Sequence, residues 1–245
     1  LVVCNEINLS AEQKKMQEFS YAVSHDLGSA MRGVGQLTLL LENSITEKLS
    51  EKERYWMELI RKSANKGQAM IDALAVYTRL VNDSNTKQSF DINQLIHQVT
   101  ERCLKKEKSS ESIIIKFDIE PTIIEINSEH LSLLLNSLVT NAMQFYPSDF
   151  EKKLIIRISF KQCKQWNLLS VEDNGIGLTE AQKSSMILPF KSVEPHRESM
   201  HLGMGLTYCQ RIAELSQGEL LLLDGEPTGL KVLYKWPKEQ HGREK

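Results

Sequence analysis

Apolar residues recur every three or four positions from Met16 through Phe19, Val23, Leu27, Ala30, Val34 and Leu37 to Leu41. They do so again from Trp56 through Leu59, Ser63, Gly67, Met70, Leu74 and Tyr77 to Val81. That spacing is one face of an α-helix, and two such faces in succession leave few ways to fold. The stretch between them, "ENSITEKLSEKE", is polar and reads as a connection. Two long helices with a short joint form an antiparallel hairpin. Each stripe is wide enough to need more than its one partner. The expected solution is a four-helix bundle built by two chains, a homodimer.

"NDSNTKQS" at 82–89 is polar and turn-rich, and the domain boundary is expected there, dividing 1–84 from 85–245. Beyond it the pattern alternates. "FDINQLIHQVTERCLKKEK" is helical in pattern, and "SIIIKFDI" and "TIIEI" are β-branched strands around Pro121. "SEHLSLLLNSLVTNAMQF" reads as a strongly apolar helix with Ser128 as its N-cap. "KLIIRISF" and "NLLSVED" read as strands, "GLTYCQRIAELSQG" as a helix ended by Gly218, and "ELLLLDG" and "TGLKVLYKWP" as a terminal strand pair. The second part is therefore expected to be an α+β sandwich, a sheet with helices on one face.

The 245 residues suffice for one large domain or two modest ones. With 41% hydrophobic and 25% charged residues the chain is an ordinary globular one. A formal net charge of −2 gives no basis for a non-specific grip on nucleic acid or anionic lipid. No apolar run approaches the roughly 18 residues of a membrane span, and "LVVCNEINLS" is not a signal peptide. The chain does not begin with Met, so a fragment of a longer protein is expected, with any sensor module upstream. Cys4, Cys103, Cys163 and Cys209 are scattered without a Cys-x-x-Cys pair, which favours free thiols in a reducing cytoplasm over disulfides or a metal site.

"VSHDLGSAMRG" at 23–33 sets His25 beside Asp26 inside the first helix. Residues two apart on a helix point about 200° from each other. His25 therefore points away from the stripe that holds Val23 and Leu27, and joins Ser29, Arg32 and Gln36 on a polar face. A solvated surface histidine satisfies that geometry. So does a nucleophile: neutral imidazole attacks near neutral pH, and a neighbouring carboxylate can take the ring proton. Gly28 costs about 1 kcal/mol in a helix; it lets the helix bend or lets another protein approach His25, and the sequence leaves both open.

Three further motifs carry chemistry. In "VEDNGIGL" at 171–178 a strand ends in Asp173 and Asn174, and Gly175 and Gly177 free the backbone to fold against a ligand. A buried carboxylate there accepts a hydrogen bond from an exocyclic amine such as adenine's. In "HLGMGLTYCQRI" Gly203 and Gly205 stand at a helix N-terminus, where backbone N–H groups and the helix dipole favour an anion. "NSLVTNAMQF" offers Asn136, Ser137 and Asn141 on a helix, and an amide oxygen is a hard ligand suited to Mg²⁺. Taken singly, each is also the pattern of an ordinary turn, loop or amphipathic helix.

In this order the motifs resemble the sensor histidine kinases of two-component systems, from about Phe19 to Trp236. "FSYAVSHDLGSAMRGV" is similar to that family's phosphoacceptor box, "LLLNSLVTNAMQFYP" to its Asn box, and "VEDNGIGL" to its first glycine-rich box. "ILPF" at 187–190 is similar to its Phe box, and "LGMGLTYCQRI" to its second glycine-rich box. The resemblance implies a dimerisation and phosphotransfer hairpin followed by an ATP-binding domain of the gyrase-like sandwich fold. It implies that His25 takes the γ-phosphoryl group of ATP, that Asp26 acts as base, that Asn141 holds Mg²⁺ and that Asp173 reads adenine. Gly175, Gly177, Gly203, Gly205 and Leu206 then form the nucleotide site. Residues from about 179 to 202 form a mobile lid that includes Phe190, and Lys191 or Arg197 is available for phosphate. The implied partner is the receiver domain of a response regulator. In relatives a hydroxyl or amide four residues after the histidine, here Ser29, positions water to remove phosphate from that partner.

The chain departs from the family pattern at several places. Ala30 replaces a proline, Gly28 a basic residue, and Ser137 the first Asn of the Asn box. Gln144 replaces a Lys, Leu188 an acidic residue, and His201 a glycine. Two readings follow: an ATP-dependent protein-histidine kinase, or a degenerate kinase that serves as a dimeric docking scaffold.

Overall fold

The computed structural model describes residues 24, 26–45, 49–82, 86–107, 112–146, 153–192 and 202–238. They fall into two compact units, one holding the helical hairpin and one holding every element from residue 86 on.

The hairpin consists of α1 over 26–45 and α2 (Glu51–Asn82). A reciprocal cap starts α2: Glu53 N donates to Ser50 Oγ at 3.3 Å, while Glu53 Oε2 accepts from Ser50 N at 2.8 Å. The cap lies inside the stretch read as connection, so the joint is shorter than the polar composition predicts. The two helices meet through small residues. A Cβ on Gly28 would lie 3.1 Å from Arg32 and 3.2 Å from the Gln68 amide, and one on Gly67 would lie 3.0 Å from the Met31 sulfur. Gly28 thus serves helix–helix approach, with α1 helical on both sides of it. Of the second apolar stripe Gly67 takes part in this contact, while large residues of both stripes stay outside it. Leu27, Val34, Leu37 and Leu41 on α1, and Trp56, Leu59 and Leu74 on α2, are exposed.

The second unit carries a five-stranded sheet, order β2-β4-β5-β7-β6. Its strands are β2 (Ile113–Ile119), β4 (Leu154–Gln162), β5 (Trp166–Asp173), β6 (Glu219–Asp224) and β7 (Leu230–Pro237). β2 runs parallel to β4 and the other pairs are antiparallel. Helices α3 (Ile92–Lys106), α4 (Ser128–Gln144) and α6 (Gly205–Leu215) cover one face. The core lies between: Ile96, Leu131, Leu134, Leu135 and Ile212 from the helices meet Ile156, Ile158, Leu169 and Tyr234 from the sheet, all 1% exposed or less. The period of two along β4 and β5 puts these residues on the helix side and Arg157, Ser159, Ser170 and Glu172 on the open side. This is the expected sandwich.

Local expectations change in three places. β1 (Gln88–Asp91) is a strand paired with β3 (Ile123–Ile126), so "FD" ends a strand where a helix was expected. Asp91 then caps α3, accepting from Asn93 N at 2.9 Å. The N-cap of α4 is Asn127, whose Oδ1 accepts from Glu129 N and His130 N at 3.0 Å each; Ser128 is the first helical residue. At the end of α6 the left-handed residue is Gln217, φ 54, and Gly218 follows it with its N–H on Ala213 O at 2.8 Å. A side chain on Gly218 would strike the Lys235 carbonyl. The described cysteines Cys103, Cys163 and Cys209 are free thiols. No helix among the described residues is long and apolar enough to cross a membrane.

Candidate active site

The end of β5 faces a cleft between the carboxyl end of α4 and the amino end of α6. Asp173 is the last residue of β5 and shares the inward face with Leu169 and Val171. Its Oδ1 accepts from Gly175 N at 2.8 Å and from Leu230 N at 3.3 Å. Among the described residues no donor falls on Oδ2. Burial pushes the Asp173 carboxyl above its ordinary value; the two amide donors act against that shift, and neighbouring Glu172 adds to it. Asn174 faces the other way. Its side chain accepts from Ile155 N at 2.8 Å and donates to Lys153 O at 3.1 Å, which fastens the start of β4. Of the two polar residues that end the strand, only Asp173 lines the cleft.

Phe145, Ile176, Leu178, Met186, Leu206 and Leu230 make apolar walls around that carboxylate. Leu206 was expected there. Phe145, one turn after Asn141 on α4, was legible from that spacing. Leu230 was not, because it arrives from a strand 57 residues away from Asp173. The floor opposite is the amino end of α6. Its N-cap is Met204, which is buried and supplies no side-chain hydrogen bond, so among the described residues no N-cap side chain satisfies the first-turn amides. Gly203, Gly205 and Gly177 line the cleft, while Gly175 donates its N–H to Asp173. Gly203 has φ +66, and a side chain on it would overlap the Lys191 carbonyl. No other residue satisfies both constraints.

Asn141 also lines the cleft, with its side-chain oxygen 3.1 Å from where a Cβ on Gly205 would stand. Asn136 does not join it: its Oδ1 accepts from the Cys103 thiol at 3.5 Å, toward α3. Ser137 is buried. Mg²⁺ takes only one or two protein oxygens and completes its shell with water and phosphate. A single amide oxygen beside uncapped helical amides fits that donor requirement. Lys191 lines the cleft; Arg197 lies outside the described residues.

In the segment expected to be a mobile lid, residues 180–186 form α5 (Glu180–Met186). Lys183 on α5 holds Glu180 at 2.6 Å and Asp224 at 2.8 Å, which ties this part of the segment to β6. Phe190 follows at φ 59.

On the hairpin, Asp26 and Ser29 are exposed, as are Arg32 and Gln36 of the same polar face. His25 and His201 lie outside the described residues.

Residues 126–240 match the family described as histidine kinase-, DNA gyrase B- and HSP90-like ATPase. The nisin biosynthesis sensor protein NisK of Lactococcus lactis is 24% identical over 238 residues, covering 94% of this chain and 51% of that protein. The curated relatives that match are longer, and the chain spans 27% to 51% of the length of the first of them. Full-length ShkA, solved in complex with AMPPNP, superposes with a TM-score of 0.67 at 20% identity over 91% of this chain and 46% of that one. The histidine kinase AdeS of Acinetobacter baumannii gives a TM-score of 0.60 at 16% identity over 88% of this chain and 98% of that one. Residues 126–240 thus match the histidine kinase-, gyrase B- and HSP90-like ATPases, and along both the hairpin and the sandwich the chain is similar to sensor histidine kinases.

Proposed function

We propose that this chain is an ATP-dependent protein-histidine kinase that phosphorylates His25 and passes the phosphoryl group to an aspartate on the receiver domain of a response regulator. The observation that carries the reading is the cleft itself: a half-buried carboxylate with one oxygen held by two backbone amides, inside apolar walls, opposite the amino end of α6.

In this reading Asp173 Oδ2 accepts from the 6-amino group of adenine, and the apolar walls sandwich the ring. The amino end of α6 faces the phosphates, where its dipole and free N–H groups favour negative charge. The Asn141 amide oxygen would hold Mg²⁺, and the ion would supply charge neutralisation at the transferring group. One imidazole nitrogen of His25 attacks the γ-phosphorus. The N–P bond forms, the bond from phosphorus to the bridging oxygen breaks, and ADP departs with that electron pair. The proton on the other ring nitrogen passes to Asp26, which is exposed next in sequence. The exposed Leu27, Leu37, Leu41 and Trp56 are covered by a second copy, completing a four-helix bundle.

Labelling with γ-phosphate ATP and Mg²⁺ tests the reading. The parent is expected to carry an acid-labile, base-stable label and the His25→Gln variant none. Binding of ATP with no label on either would favour the docking scaffold, for which buried Ser137 in place of a second cleft amide is the supporting observation.

Ser29 lies one helical turn after His25 and is exposed. We assign it the positioning of water during dephosphorylation of the receiver domain. Ser29→Ala is expected to slow that step about tenfold without changing labelling of His25. An unchanged dephosphorylation rate removes the role.

A further inference from the structure

The side of β5 opposite the cleft carries a charge network that nothing in the reading above uses. Glu172 immediately precedes Asp173 and points to the open face of the sheet, with its side chain only 14% exposed. Its cross-strand neighbours are Arg157 on β4 and Lys231 on β7, in register with it on either side. Arg157 Nη1 donates to Glu172 Oε1 at 3.0 Å, and Lys231 Nζ is 3.6 Å from Oε2. The same Oε1 accepts from the backbone N–H of Glu226 at 3.3 Å, and Arg157 Nη1 donates to the Glu226 carbonyl at 3.3 Å. One carboxylate and one guanidinium therefore hold both the N–H and the C=O of a residue in the turn between β6 and β7.

That turn leads directly into Leu230, which lines the cleft. Gly225 N donates to Gly229 O at 3.0 Å and closes the turn. Gly229, at φ +106, packs its backbone against the Asp173 carbonyl, and Gly177 lies against the Gly229 carbonyl. The next residue, Leu230, donates its N–H to Asp173 Oδ1 and lines the cleft. From Glu172 the connection runs through Glu226 and the turn to the amide that orients the carboxylate of Asp173. Two consecutive side chains on opposite faces of one strand are linked by a turn at the carboxyl end of that strand.

We propose that Glu172 is a positioning residue for the nucleotide cleft: through Arg157 and the backbone of Glu226 it fixes the 225–230 turn, which sets the Leu230 amide on Asp173. The proposal rests on the nucleotide reading above. An exposed ion pair contributes little by itself. The Glu172 carboxylate is mostly buried and hydrogen-bonded to backbone, so its loss reaches the turn.

The test uses the full chain and two variants, Glu172→Ala and Glu172→Gln, with amide hydrogen exchange in the absence of nucleotide and a titration with ATP. In Glu172→Ala the Leu230 amide is expected to exchange about tenfold faster while the Leu169 amide, in the core of β5, keeps its rate. The dissociation constant for ATP rises about tenfold. Glu172→Gln keeps an Oε1 acceptor for the Glu226 N–H, and its ATP affinity stays within about threefold of the parent; it also serves if the alanine variant does not fold. Equal acceleration at Leu169 and Leu230 overturns the proposal, because Glu172 would then hold the whole sheet. An unchanged Leu230 amide overturns it, as does unchanged ATP affinity beside a faster Leu230. If the parent binds no ATP, the nucleotide reading falls, and the exchange rates alone decide whether Glu172 holds the turn.

Discussion

Asp173→Asn is expected to raise the dissociation constant for ATP about 100-fold, since a charge-assisted bond is lost and an amide N–H₂ meets the adenine amine at the Oδ2 position. The fold survives the change. Asn keeps an Oδ1 acceptor for the amides of Gly175 and Leu230, which now bond Asp173 at 2.8 and 3.3 Å. Stability moves in the opposite direction to binding. Burial holds the Asp173 carboxyl above its ordinary value of 3.8, so the folded domain binds that proton more tightly than the unfolded chain does. The ionised form therefore costs stability at every pH above the folded value, and the cost disappears as pH falls below the ordinary one. At pH 7 the Asn variant without nucleotide is expected to melt at a higher temperature than the parent. Below roughly pH 4 the two melting temperatures converge. A thermal melt at both pH values, with an ATP titration at pH 7, checks all three statements. A variant that binds ATP like the parent would remove Asp173 from the site.

Gly229→Ala is expected to damage fold and site together. At φ +106 an L residue is strained, and the added Cβ would overlap the Asp173 carbonyl oxygen. Strain and overlap together cost about 3 kcal/mol, which lowers the melting temperature by roughly 10 °C. The backbone shift that relieves the overlap also moves the Leu230 amide off Asp173, so ATP affinity falls about tenfold in the fraction that remains folded. Melting followed by titration of ATP at 10 °C separates the two losses. An unchanged melting temperature would show that the turn yields without strain.

The sequence made the two helices, the sandwich and the strand-end aspartate visible because each rests on a periodicity or a local dipeptide. Asp173 is legible because an acidic residue closing an alternating strand must point to the buried face if its neighbours at 169 and 171 do. The turn that completes the site is not legible, since "GEPTGL" carries no mark of the strand it folds against. The caps were misplaced by one residue for a related reason. Asn127 and Ser128 are both good N-cap residues, and the backbone conformation at Asn127, φ −69 and ψ 113, decides between them. β1 escaped because four residues beside a helix show no alternation of their own. On the hairpin the apolar periodicity identified the faces that seek burial. It could not say that α1 and α2 meet through Gly28 and Met31, which lie off the first stripe, and through Gly67, the smallest member of the second.

Glu172, Asp173 and Asn174 each hold a different element: the β6–β7 turn, the Gly175 and Leu230 amides, and the start of β4. Their roles depend on which side of the strand each occupies, and a strand allots sides by parity. A one-residue deletion upstream in β5 would carry a carboxylate from one face to the other and exchange all three tasks at once. Point substitutions here can drift one at a time, but length cannot. In descendants of this chain, β5 is a segment where gaps are purged even when individual residues are replaced.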